Sequence, residues 1–262
     1  MDETGKRNLR RLIGAGILAA ILWWALKGTE FDARRLVEGV PRGAGFVRQM
    51  FPPDWSLLWK KTDEGGALAQ LLVTVQMAVL GTFIGFILAV PVSFVAARTS
   101  VLSRPISVAV KYGLNVLRAV PSFVYAVLFV YMVGLGPFTG ALGIGVGSFV
   151  FMAKLFAEAL ESVHPGPIEA VKAVGANRVQ VFAYAMLPQA LPQFLSHTLY
   201  AWEINIGSAT ILGFVGAGGL GQSLITDIHY FKWPQVSTYV LVLVAMVLIA
   251  DAVSYQVRKR YT

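Results

Sequence analysis

The sequence predicts an all-α, polytopic transmembrane helical bundle. Several apolar runs approach or exceed the roughly 20 residues that cross a bilayer as a helix. Polar residues gather between those runs instead of alternating within them, as they would on the faces of a soluble fold of 262 residues. The cations lie beside the runs, where membrane topology places them. Composition agrees, with 56% hydrophobic and 14% charged residues and a mean hydropathy of +0.65.

Six spans can be drawn. The first, 12–27 (LIGAGILAAILWWALK), exceeds a signal-peptide core and has no small-residue cleavage site after it, so it is read as retained. The second is 67–97, the third 106–133, the fourth 139–158, the fifth 191–215 and the sixth 236–257. An inside start puts Lys6, Arg7, Arg10 and Arg11, then Arg98, Arg104 and Lys111, then Lys154, Lys172 and Arg178, and finally Arg258, Lys259 and Arg260 on the cytoplasmic side. Both termini then face the cytoplasm. Segment 28–66 falls outside despite Arg34, Arg35, Arg42, Arg48, Lys60 and Lys61; its acidic residues and apolar periodicity suit one or two short interfacial helices. The chain is thus organised as 1–66, an N-terminal span with extracytoplasmic interfacial helices, and 67–262, a core containing a cytoplasmic loop at 159–190.

Several functions are excluded. The net charge of +8 comes without a basic stripe interleaved with aromatics, so nucleic acid is not expected as a partner. No cysteine is present, which removes disulfides, thiol nucleophiles and thiolate metal sites. His164, His197 and His229 are dispersed without ligand spacing, and no metal site is expected. No G-x-x-x-x-G-K-[ST] occurs, so the chain is not its own P-loop ATPase and needs no catalytic residue or resident cofactor. Gly216, Gly218 and Gly221 in GAGGLG match a dinucleotide fingerprint, but no strand precedes them and no acid follows near twenty residues on. Gly216, Gly218, Gly219 and Gly221 are read instead as a close-approach turn at the outer end of the fifth span, a candidate hinge or gate. Gly81/Gly85 and Gly143/Gly147 have the spacing of helix-packing notches.

The segment ESVHPGPIEAVKAVGANRVQVFAYAMLPQALPQF (161–194) interrupts the apolar pattern with charges and prolines. Pro167 suits a first helical position, Gly175 a left-handed C-terminal cap and Asn177 the cap of a second helix, which Pro188 and Pro192 close. Ile168, Val171 and Val174 form an apolar stripe on a helix too short to stand alone in water. Either the chain's own spans or another subunit must cover that stripe.

Within it, EAVKAVGANRVQVFAYAMLP resembles the EAA loop of ABC-importer permeases. Glu169, Ala170, Gly175, Leu187 and Pro188 match at the family spacing; Val171 replaces the third position and Ala185 an isoleucine. WEINIGSATILGFVGAGGLGQ (202–222), with FPPDWS (51–56) and GLGPF (134–138), is similar to the phosphonate-type permeases over roughly 50–257. Gly207 stands where those relatives usually carry an arginine, which puts the carried anion in doubt. The resemblance implies a type I ABC importer permease fold in the inner membrane, working as a homodimer. It also implies two separate ATPase subunits, which bind ATP and Mg, and an extracytoplasmic substrate-binding protein. The loop would be the coupling helix, its apolar stripe gripped by an ATPase, and the cargo phosphonate or a related phosphorus oxyanion such as phosphite, hypophosphite or phosphate.

Two intramembrane charges are the candidate pathway residues. Arg118, twelve residues into the third span, and Glu203, a similar distance beyond Pro192, both fall near the midplane, where a charge facing lipid costs about 2.5 kcal/mol or more. They either pair with each other as a strut, line the pathway, or do both. Asn205 and Ser208 share a helix face, with Glu203 offset from it. Three alternatives remain: an ABC permease for another small polar solute such as an amino acid, a secondary transporter, or a membrane scaffold. A secondary transporter would show inverted repeats with broken helices, and none is evident.

Overall fold

The computed structural model describes residues 3–59, 65–99 and 104–259. Of the cations used to orient the chain, Lys60, Lys61 and Arg260 lie outside them. Two compact units divide the chain, Met1–Gln49 and Met50–Thr262.

In the first unit, α1 (Glu3–Gly28) carries the apolar stretch Ile13–Gly28 and so contains the expected first span. Asp32 ends the short connection by capping α2 (Ala33–Met50): its Oδ1 accepts the backbone N–H of Arg34 at 2.9 Å. α2 is an amphipathic helix with Arg34 and Glu38 paired at 2.8 Å on its polar side.

The second unit opens with a short 3₁₀ turn, Trp55–Leu58. The Asp54 side chain caps it through Ser56 N, while the Asp54 backbone N–H donates to the Pro234 carbonyl at 3.1 Å. Leu57 is buried, so residues 50–58, grouped by sequence with the N-terminal segment, pack with the core. Next come α3 (Ala67–Ala96), α4 (Arg104–Arg118), α5 (Ser122–Val133) and α6 (Pro137–Glu161). The order continues with α7 (Pro165–Ala173), α8 (Arg178–Val181), α9 (Leu187–Leu212), α10 (Gly219–His229) and α11 (Trp233–Arg258).

Helix α6 is the central post, held by notches on two sides. A Cβ at Gly81 would lie 2.5 Å from Ile144 Cγ2, and one at Gly85 2.6 Å from Ser148 Cβ, so both glycines let α3 close on α6. On the other side a Cβ at Gly143 would lie 2.6 Å from that of Ala126, and one at Gly147 would overlap the Ser122 hydroxyl of α5. Dispersion across such close contacts, not water exclusion, holds helices together in lipid. Phe156 stacks on Phe194 of α9 with ring centroids 4.0 Å apart.

Helices α3, α6 and α11 are each long and apolar enough to cross a membrane. Two expected spans are broken. The third is two helices, α4 and α5, meeting at 79°. Pro121 explains the break, because it has no N–H to continue the ladder and disfavours helical geometry at Val120. The fifth runs from α8 through α9 and a wide π turn (Gly213–Ala217), then turns by 60° into α10. Counting each bent pair as one, the candidate spans number five among the described residues, and Ile13–Gly28 is a shorter apolar helix beside them.

Candidate functional site

The punctuated segment forms α7, a left-handed turn and α8. The first helix begins at Pro165, two residues before the expected Pro167, because His164 caps it: Nδ1 accepts the Gly166 N–H at 3.1 Å. Gly175 has φ +81°, the left-handed cap the sequence demanded. Asn177 and Gln180 form a reciprocal capping box of 2.9 and 2.8 Å. Pro188 and Pro192 do not close α8. The chain continues through a π turn (Phe182–Met186) into α9, since that wide turn admits Pro188 without breaking the helix. Gln189 pins the two ends of the segment together, accepting His164 N–H at 3.1 Å and donating to the Ala185 carbonyl at 2.6 Å.

The apolar stripe is divided. Ile168 and Val171 pack inward against the core cluster that holds Val181, Ala185 and Met186, so the chain's own helices cover two of its three residues. Val174 remains 83% exposed. It shares the outside with Glu169, Ala170 and Gly175, and with the exposed apolar side chains of Val179 and Tyr184. Leu187 packs against the same core cluster and Pro188 is exposed at the foot of α9. The expectation that an ATPase grips this stripe is therefore corrected: Ile168 and Val171 anchor the segment to its own bundle, and the surface left exposed holds Val174, Val179 and Tyr184.

Beside it, the end of α6 is tied down. Glu161 Oε1 accepts the Arg98 backbone N–H and the Lys111 ammonium, each at 2.7 Å, and the Thr99 hydroxyl donates to the Leu160 carbonyl at 3.1 Å. These short polar links join the end of α6 to α4 and to the residues that follow α3.

A cavity of about 220 Å³ opens where α4 ends and α5 begins, against α6 and α9. Arg118, Asn205 and Ser208 line it together with Ser122, Tyr125 and Ser148. The Asn205 amide donates to Thr82 Oγ1 at 2.8 Å and Ser148 Oγ at 2.7 Å, joining α3, α6 and α9. The Tyr125 hydroxyl donates to the Leu117 carbonyl at 2.7 Å, satisfying one of the carbonyls freed at the end of α4. At Gly207 a Cβ would meet nothing within 4 Å, so the missing side chain leaves open space.

The expected strut does not form. Glu203 turns to α11, 3.5 Å from Arg258, while the Arg118 side chain has no ion pair or hydrogen bond among the described residues. The reason is helix face: Ala201, Ile204, Asn205 and Ser208 of α9 line the cavity with Arg118, whereas Glu203 is turned away from them toward Arg258 of α11. Of the four residues singled out in the sequence, Arg118, Asn205 and Ser208 line one cavity, and Glu203 pairs with Arg258 outside it. Sequence reading did not single out Thr82 and Ser148, which are among several hydroxyl residues inside the apolar runs of α3 and α6.

At the far end of α9, Gly216, Gly218 and Gly219 have φ of +88°, +84° and +72°. Thr74 Oγ1 accepts the Leu220 N–H at 2.9 Å, capping α10 from α3. A Cβ at Gly219 would lie 2.5 Å from that hydroxyl, and one at Gly221 would overlap the Thr210 carbonyl. The turn is closely packed.

Residues 81–262 match the family described as binding-protein-dependent transport system inner membrane component. The chain is 36% identical over 246 residues to the phosphite transport system permease protein PtxC of Stutzerimonas stutzeri, covering 94% of this chain and 86% of that one. It is also 36% identical over 249 residues to the phosphate-import permease protein PhnE of Mycolicibacterium smegmatis, covering 95% of this chain but 45% of the relative. Among solved structures, an inward-facing MetNI methionine ABC transporter matches with a TM-score of 0.66 at 23% identity, covering 75% of this chain and 96% of that one. A bacterial alginate ABC transporter, in complex with an alginate-bound periplasmic protein, matches with a TM-score of 0.61 at 14% identity over 97% of this chain and 98% of that one. Glycine-notched helices, broken spans and a capped polar segment thus occur in a chain that belongs to the family of binding-protein-dependent transport system inner membrane components.

Proposed function

We propose that this chain is the transmembrane permease subunit of an ATP-driven importer for a phosphorus oxyanion, phosphite or phosphonate being the leading cargoes. The relatives' names support that cargo. So does a cavity that offers hydroxyls and one uncompensated guanidinium, the groups that bind such an anion best. Glu169, Ala170, Gly175, Leu187 and Pro188 form the coupling segment for a separate ATPase, which holds ATP and Mg. Arg118, Asn205 and Ser208 line the pathway; Glu203 braces α9 against α11 at its edge. Gly216, Gly218, Gly219 and Gly221 form the gate turn.

One pore needs two halves, and a homodimer supplies them. The Mycolicibacterium relative, of which this chain spans 45%, is long enough for two such units. An extracytoplasmic binding protein delivers cargo, and both termini face the cytoplasm. ATP binding draws the ATPases together, the coupling segments follow, and the paired bundles exchange inward-open for outward-open states.

The observation that carries this reading is a segment anchored by Ile168 and Val171 while Val174, Val179 and Tyr184 stay bare. Such a lever is rigid toward its own bundle and open toward a neighbour. Vesicles containing the chain, its ATPase and its binding protein should take up phosphite only with ATP inside, and vanadate should stop them. Uptake driven by an ion gradient without the ATPase would make the chain a secondary transporter.

A further inference from the structure

We propose that Lys154 forms, with Arg118, a second anion station on the coupling-segment side of the hydroxyl-lined cavity. A phosphorus oxyanion leaving that cavity passes from Arg118 to Lys154. This rests on the importer reading above and adds an exit route to it.

A second cavity of about 220 Å³ adjoins the first and is lined by Arg118, Phe151, Lys154, Leu155 and Glu158. Arg118 and Phe151 belong to both. On α6, Gly147, Phe151, Lys154 and Glu158 recur at three- and four-residue steps, so one helix face floors both chambers. From Ser148 to Lys154 is about 9 Å along the axis at 1.5 Å per residue, one short step toward Glu161 and the coupling segment.

The charge pattern singles out these two cations. Lys111 is held by Glu161 and Arg258 by Glu203. Neither the Arg118 nor the Lys154 side chain has an ion pair or a hydrogen bond among the described residues, although each lines a chamber between packed helices. Uncompensated positive charge within a membrane protein is costly, and a passing anion removes that cost. The two cations also differ in the useful direction. Guanidinium grips an oxyanion with two parallel hydrogen bonds, whereas ammonium is a compact, well-hydrated point charge that lets go more readily. Glu158, one turn beyond Lys154 on the same helix face, lines the same chamber, and its carboxylate weakens the hold on an anion there, which favours release. Transport needs sites strong enough to enter and weak enough to leave.

Because the chain has no cysteine, Lys154→Cys can be labelled at one position. The full permease would be reconstituted in vesicles with its ATPase and binding protein, with phosphite as the probe and uptake per ATP hydrolysed as the readout. Lys154→Cys should lower that ratio about ten-fold, the loss expected when a charged hydrogen-bond donor is removed. 2-Aminoethyl methanethiosulfonate, which rebuilds a lysine-like cation, should restore it; the anionic 2-sulfonatoethyl reagent should not. Lys154→Arg, which keeps the charge but holds the anion harder, should fall between wild type and Lys154→Gln, and Lys154→Gln should match the unlabelled cysteine variant, so a folding defect peculiar to cysteine cannot hide the result. A wild-type ratio in Lys154→Gln, or equal rescue by both reagents, overturns the station alone. Wild-type vesicles that import no phosphorus oxyanion overturn the importer reading and this one with it.

Discussion

Helix α6 and the segment that follows it are built by opposite rules. Along α6, Ile144 and Ser148 fill the notches of Gly81 and Gly85, and Gly143 and Gly147 admit Ala126 and Ser122, so every neighbour is already in place. A few residues beyond Glu161, α7 uses Ile168 and Val171 to hold on to the bundle and leaves Val174 and Tyr184 with nothing against them. The first region can move only as a block. The second has a bonded inner face and a vacant outer one, linked to that block by Gln189, His164 and Glu161. A machine that converts an external push into helix motion needs both, because a soft interior would absorb the push.

The contrast breaks first in the interior. Gly221→Val places a side chain on the Thr210 carbonyl and should prevent folding outright, an overpacking cost of about 3 kcal/mol or more. The check is loss of monodisperse protein after solubilisation. In the coupling segment the effect should fall on function. Glu169→Lys, or Gly175→Pro at a backbone φ of +81° that proline cannot adopt, should leave the chain inserted while ATP hydrolysis drops to the level seen without loaded binding protein. Stimulation that persists would detach the segment from coupling.

Within the cavity, Arg118→Ala should reduce anion uptake about ten-fold, in line with a lost charged hydrogen bond. Arg178→Ala and Glu203→Gln should stay within about two-fold, because exposed charges and edge pairs contribute little. Equal effects from all three would remove Arg118 from the pathway. The smallest change sharpens the packing side: Asn205→Ala loses two interhelical hydrogen bonds and should cost about 1 kcal/mol of stability, read as a lowered thermal midpoint with the fold intact.

Much of this contrast was legible in the sequence. Apolar run length marked the spans, and the caps at Gly175 and Asn177 follow from backbone chemistry that only a few residue types satisfy. The glycine notches also showed, since i, i+4 small residues have one common use. What did not show was the breaks and the facing of Glu203. Pro121 and Gly216 break spans that hydropathy averages into single runs, and Glu203 lies on a face of α9 turned to Arg258 and not to the cavity that Arg118 lines. The direction of the Ile168 stripe was likewise hidden, because periodicity shows that a face is apolar without saying what covers it. Lys154 read only as a topology marker; nothing local in sequence tells a cation at a helix end from one that faces a chamber.

The central claim is that the bare face of the coupling segment is gripped by a separate ATPase. Val174→Cys, the sole cysteine in the chain, carries a photoactivatable crosslinker in the assembled transporter. Illumination should join permease to ATPase and arrest ATP-driven uptake. Crosslinks confined to the permease or to lipid, in vesicles that still transport, would contradict it.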